Sequence, residues 1–186
     1  MKAASPLAAR GRHASHFGRL AFALAVAAAA AAPSAQEATL NRLLMLDVEL
    51  IDSMQGSVPF PEKQARLAKA TEQLRDAFIR ERFYQVLDDA PVLSQIHSAQ
   101  ASFNFVDCNG CELEIARIAH ADRVLVAWVQ RVSNLILNIN IEIRDVATGN
   151  VVLGKSVDLR GNTDVSWQRG VDFMVRDMRE KRQGNR

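Results

Sequence analysis

Residues 135–145, LILNINIEIRD, constrain the fold of this 186-residue chain more than any other stretch. Leu135, Leu137, Ile139, Ile141 and Ile143 fall on one side of an extended backbone. Ile136, Asn138, Asn140, Glu142 and Arg144 fall on the other. Period two sustained over this length has no helical reading and predicts a strand with one buried face. The segment before it, DRVLVAWVQRV at 122–132, is apolar on both sides, with Val124, Val126 and Trp128 against Leu125, Ala127 and Val129. Such a strand belongs in the middle of a sheet. After it, ATGN at 147–150 supplies a glycine for a turn and VVLGKSVDL returns, which predicts a hairpin.

The remaining elements follow from the other periodicity. Leu67, Ala70, Leu74, Ala77 and Phe78 predict a helix over 62–82, and Cys111, Ile115, Ile118 and Ala119 one over 109–119. Asn162, Thr163 and Asp164 are capping types ahead of a closing helix, Val165 to Lys181, lined by Trp167, Val171, Met174, Val175 and Met178. Residues 40–51 read as a buried first strand, 52–61 as a loop with Gly56, Pro59 and Pro61, FYQVLD at 83–88 as a second strand, and 91–100 as a short helix. The order β-α-β-(α)-α-β-β-β-α predicts an α/β protein: a single mixed sheet with helices packed on it, ending in a meander and a closing helix.

The first 35 residues read differently. Lys2, Arg10, Arg12 and Arg19 precede the apolar run LAFALAVAAAAAA and a small-residue exit, PSA. That is the layout of a secretory signal peptide, and the run is short for a membrane span of about 20 residues. The expected organisation is a signal peptide at 1–35, one domain at 36–181 and a disordered tail at 182–186. Beyond residue 35 the chain has 19 basic and 21 acidic residues, a net charge of −2. With no basic block, nucleic-acid capture has no support. No further apolar stretch is long enough for a membrane span. The expected location is the periplasm.

Both cysteines lie in DCNGCELEI, at Cys108 and Cys111. In an exporting compartment such a pair is expected to form a disulfide. Two other readings stand beside it. A thiol near a helix start can serve a thiol–disulfide oxidoreductase, although Asp107, Glu112 and Glu114 crowd the site with negative charge that opposes a thiolate. Zinc could be held with His97 and His120, but the intervals match no common finger. Covalent haem would need a histidine where Glu112 stands. No cofactor or metal is expected. Nor is there a nucleophile elbow, phosphate loop or dinucleotide fingerprint. Carboxylate pairs occur at Asp47/Glu49, Asp88/Asp89 and Glu112/Glu114; the first could hold a cation or do acid–base work, but solvated strand-end acids are the commoner arrangement. Asp47 and Glu49 are expected on one face of the first strand.

The polar side of the meander is the candidate surface. Asn138, Asn140, Glu142 and Arg144 would share it with Ser156, Asp158 and Arg160 of the next strand. Asparagine is disfavoured in strands, so two in alternation point to a hydrogen-bonding ladder or a contact face. Beside it lies RGNTDVSW. Asn138, Asn140, Arg160, Asn162, Asp164 and Trp167 are therefore the candidate partner-binding residues, and a periplasmic protein is the expected partner.

The run HADRVLVAWVQRVSNLILNINIEIRDVATGNVV resembles the second half of the TolB amino-terminal-like α/β domains of envelope proteins. The matching features are the Ala121-Asp122 turn, the strand over 124–129 and the hairpin closed by Asp145-Val146-Ala147-Thr148-Gly149. The opening LLMLDVEL fits too, so the likeness covers most of residues 40–181. VSNLILNIN with SVDLRGNTDVSW is similar to a family of secreted bacterial proteins carrying a domain of unknown function. The resemblance implies a non-enzymatic accessory role in the envelope. Through relatives grouped with periplasmic pyrroloquinoline-quinone alcohol dehydrogenases, it also implies a quinoprotein dehydrogenase system as the setting. Several members of the wider group are lipoproteins, and no cysteine stands directly after the apolar run here for lipid attachment.

Overall fold

A computed structural model describes residues 39–53, 62–133 and 135–184. The expected signal peptide and residues 54–61 of the expected 52–61 loop lie outside the described residues, and Asp52 ends the first strand instead of opening that loop. Five strands form one sheet in the order β2-β1-β3-β4-β5. They are β1 (Arg42–Asp52), β2 (Gln85–Val86), β3 (Arg123–Arg131), β4 (Ile136–Asp145) and β5 (Val151–Arg160). β1 runs parallel to β2 and β3, whereas β4 is antiparallel to both its neighbours. The helices are α1 (Lys63–Arg80), α2 (Leu93–Gln100), which follows a 3-10 turn at Ala90–Val92, α3 (Cys111–Ile118) and α4 (Asp164–Gly184). The fold is the mixed α/β architecture that the two periodicities predict.

The alternation in β4 explains the larger core. Leu137, Ile139, Ile141 and Ile143 are buried together with Leu125, Ala127 and Val129 of β3 under the apolar stripes of α1 and α4. β3 buries its other side as well. There Val124 and Val126 join Leu44 and Leu46 of β1 and Ile96, Ile115 and Ala116 of α2 and α3 in a second core. At about 25 cal/mol per Å² of buried apolar area, these two layers are the main driving force for the fold.

Ion pairs close the parallel β1–β3 pair at both ends. Arg42 binds Asp122 with Nη2–Oδ1 at 2.9 Å, and the Asp122 carboxylate also accepts from the Arg42 backbone at 2.8 Å. These hydrogen bonds hold the Asp122 carboxyl down at about 2. At the far end Arg131 meets Asp52.

Four local expectations are corrected. FYQVLD contributes only Gln85 and Val86 to the sheet. A left-handed Arg82 (φ 50°) turns the chain there, and Phe83 and Tyr84 pack instead against Phe78, with ring centroids 5.3 and 6.2 Å away. In α3 the buried face holds Glu112, Ile115 and Ala116, and Ile118 is 48% exposed. Leu135, expected on the buried side, is 79% exposed because it precedes β4. The closing helix runs through Gly184, so residues 182–184 are not a disordered tail. Arg182 donates to the carbonyls of Arg82 and Glu81 (3.0 and 2.9 Å), and its guanidinium covers Phe83.

Candidate partner-binding surface

The polar side of β4 is a track of two hydrogen-bonded pairs. Successive outward positions of a strand lie on one face, so Asn140 can donate through Nδ2 to Asn138 Oδ1 at 2.6 Å. Two residues further on, Arg144 donates through Nε to Glu142 Oε1 at 2.5 Å. Its Nη1 lies 3.3 Å from Glu112 Oε1 on α3. The track therefore ends at the cysteine turn.

That turn is closed by a disulfide between Cys108 and Cys111. Asn109 and Gly110 both have positive φ (53° and 108°), the backbone shape that brings the chain round to the start of α3. Glu112 is 2% exposed. Its Oε2 accepts from the Gly110 backbone at 3.1 Å and lies 3.2 Å from the Cys108 sulfur. A disulfide sulfur carries no proton, so this approach is a packing contact. Cys108, Cys111 and Glu112 also offer three donor atoms within 4.8 Å of one another. With the sulfurs bonded to each other, neither is a thiolate that could bind zinc.

The six candidate residues form two groups. Asn138, Asn140 and Arg160 share the β4–β5 face, with Asn138 opposite Asp158, Asn140 opposite Ser156 and Ile136 opposite Arg160. Asn140 is buried, whereas Arg160 and Asp158 are exposed. The face is thus closed toward α3 and open at the β3–β4 end. At that open end Val132, Leu135 and Ile136 are exposed apolar side chains, 48, 79 and 60% accessible.

Asn162, Asp164 and Trp167 lie instead against α1. Arg66 Nη1 donates to Asn162 Oδ1 (2.9 Å), Arg66 Nε to Asp164 Oδ1 (2.7 Å) and Lys69 Nζ to Asp164 Oδ2 (2.9 Å). Those hydrogen bonds from Lys69 and Arg66 lower the Asp164 carboxyl below its usual range. Trp167 is buried and donates through Nε1 to Asn162 Oδ1 at 3.0 Å. The helix cap itself is made by Thr163 and Ser166, whose hydroxyls each accept from the other's backbone N–H at 3.2 and 3.1 Å. The positive end of α4 is therefore already served by a carboxylate of the chain. Nothing in the sequence pairs Arg66 with residues nearly a hundred positions away, so its role as the hub of this corner was not legible.

The acid pair on β1 is separated. A bulge between Met45 and Val48 inverts the alternation, so that Val48 faces the same core as Met45 while Leu44 and Leu46 face the other. Asp47 faces Arg75 of α1 at 4.0 Å, while Glu49 turns to the opposite layer and accepts from the Phe105 backbone at 2.7 Å. Burial outweighs this hydrogen bond and raises the Glu49 carboxyl above its ordinary value. The bulged backbone is itself satisfied, since Val48 N–H donates to Thr71 Oγ1 at 2.9 Å.

The fold and this surface define a small mixed-sheet α/β domain with one half-open polar face. The chain belongs to the DUF3280 family, described as a protein of unknown function (DUF2380), which matches residues 41–178. No curated protein matches the chain. Among solved structures, it is similar to the LpoB C-terminal domain from Escherichia coli at 20% identity, over 67% of this chain and 87% of that one, with a TM-score of 0.47. The corresponding domain from Salmonella enterica gives 19%, 67%, 87% and 0.46. Lipoprotein GNA1162 from Neisseria meningitidis gives 16%, 67%, 83% and 0.44. Among the described residues, no helix is long and apolar enough to cross a membrane.

Proposed function

We propose that this chain is an exported, non-enzymatic accessory protein of the cell envelope that binds a protein partner in the periplasm. In this reading residues 1–35 are a cleaved signal peptide and the domain acts as one body. One observation carries it: Val132, Leu135 and Ile136 remain exposed at the open end of the β4–β5 face, next to Arg160 and Asn138. An apolar centre beside polar and guanidinium groups is the usual composition of a protein contact surface. The resemblance to TolB amino-terminal-like domains and to secreted proteins grouped with quinoprotein alcohol dehydrogenases makes such a dehydrogenase the first partner to try.

The test is co-purification from periplasmic extract, with the intact protein as bait beside an Asn138→Lys/Arg160→Glu variant. A partner retained by the former and lost by the latter is the expected result. Nothing above background with the intact protein would sink the reading. The thiol oxidoreductase alternative rests on the Cys108–Cys111 pair at the start of α3. It requires insulin-reduction activity that disappears when both cysteines are replaced by serine.

A further inference from the structure

The β5 edge offers more than the polar face just described. β5 is an outer strand of the sheet, and its pairing with β4 is regular from Leu153 to Arg160, the irregularity lying at Arg144 opposite Val151. An edge strand leaves every second N–H and C=O without a ladder partner. Two common protections of such an edge, proline and an outward-pointing lysine, are missing from this stretch. It contains no proline, and the one lysine in it, Lys155, is turned onto α4 in an ion pair with Asp177.

Along this edge runs a groove of about 580 Å³ between β5 and α4, lined by Val157, Arg160, Val165, Arg169, Gly170 and Phe173 among others. Gly170 sets its depth. A Cβ there would come within 2.2 Å of Leu159 Cδ2, so α4 lies directly against the strand. Val165 and Phe173 stand half-exposed on the helix side. Arg176 stacks on Phe173 at 5.3 Å. Arg160 and Arg169 are exposed, and neither has an ion-pair partner among the described residues. Two guanidiniums, Arg160 and Arg169, thus line the groove against one carboxylate, Asp158, in a chain whose net charge beyond residue 35 is −2.

From the open strand edge and this apolar, arginine-bordered groove, we propose that β5 is extended by an extended segment of a partner protein in which apolar and acidic residues alternate. Main-chain pairing to β5 supplies the affinity. Alternate residues of the segment point to opposite faces, so its apolar residues lie on the α4 side against Val165 and Phe173, where Arg169 also lines the groove, and its carboxylates lie on the other side with Arg160. The proposal rests on the partner-binding reading above and deepens it by naming the partner's chemistry.

The test uses the intact protein and a fluorescent, end-capped peptide of alternating valine and glutamate. Two control peptides carry lysine for glutamate, or N-methyl groups on alternate amides. Anisotropy should report binding of the glutamate peptide alone, with slower amide hydrogen exchange at residues 153–160. Arg169→Glu and Phe173→Ala, both on the exposed side of α4, should each weaken it at least tenfold while leaving the circular dichroism spectrum unchanged. Equal binding of either control peptide, no binding at all, or a self-associated dimer that the glutamate peptide fails to dissociate would each overturn the proposal. Partner capture that survives Arg169→Glu and Phe173→Ala but is lost with Asn138→Lys/Arg160→Glu would overturn it and leave the proposed function standing. If periplasmic extract yields no partner, the proposed function fails, and the peptide measurements still decide the chemistry of the groove.

Discussion

The guanidinium of Arg131 is 1% exposed and grips the Asp52 carboxylate with two nitrogens, Nε at 2.9 Å and Nη2 at 2.8 Å. The two residues are register partners at the ends of β3 and β1, so the fork joins the central parallel pair where the chain leaves the sheet. Arg131 is buried and the Asp52 side chain is 23% exposed, so removing the guanidinium breaks two charge-assisted hydrogen bonds to a partly solvated carboxylate, a loss of roughly 1–3 kcal/mol. Arg131→Met should lower stability by about that amount in urea denaturation. Adding Asp52→Leu should restore part of it, since the carboxylate that lost this contact is then gone.

The Cys108–Cys111 bond closes a short loop and restrains the unfolded chain by about 2 kcal/mol on the loop-entropy estimate. Two buried cores on either side of the sheet hold the domain independently of it. Replacing both cysteines by serine should therefore lower the denaturation midpoint and leave the protein folded. Added reductant should then shift the intact protein and have no effect on the double variant.

Glu49 makes the pH dependence distinctive. Its carboxyl is raised in the folded state above the ordinary 4.5, first of all by burial. A raised value means that the folded protein holds the proton more tightly than the unfolded chain. The stabilising contribution is therefore complete below about 4.5 and is lost as pH rises through the folded value. Glu49→Gln keeps an oxygen for the Phe105 N–H and carries no buried charge. Its melting temperature should exceed that of the parent at pH 7, and the difference should vanish toward pH 4.

Gly170 and Leu159 test how closely α4 lies on β5. Alanine in place of a helical glycine is worth about 1 kcal/mol in propensity. The added methyl would meet Leu159 at 2.2 Å, and overpacking of a buried contact costs about 1–3 kcal/mol. Gly170→Ala should destabilise the parent protein. In a Leu159→Ala background the same change should stabilise by about 1 kcal/mol, because only the propensity term remains. A thermal-melt double-mutant cycle reads the reversal.

Local patterning determined the elements of this protein. Strict alternation placed Leu137 to Ile143 on the core side of β4, two-sided apolarity placed β3 at the sheet centre, and the 3.6-residue stripes of α1 and α4 named their buried residues in advance. Those patterns are decided by each segment's own partition between water and an apolar layer, so they can be read one segment at a time. Tertiary structure decided where the polar groups go. The bulge after Met45 sent Asp47 and Glu49 to different layers, α3 took Glu112 into the interior to meet Arg144, and Arg66 drew Asn162 and Asp164 away from the face that holds Asn138 and Arg160. Each of those placements depends on a partner far away along the chain, and only the assembled sheet and its helices bring the two together.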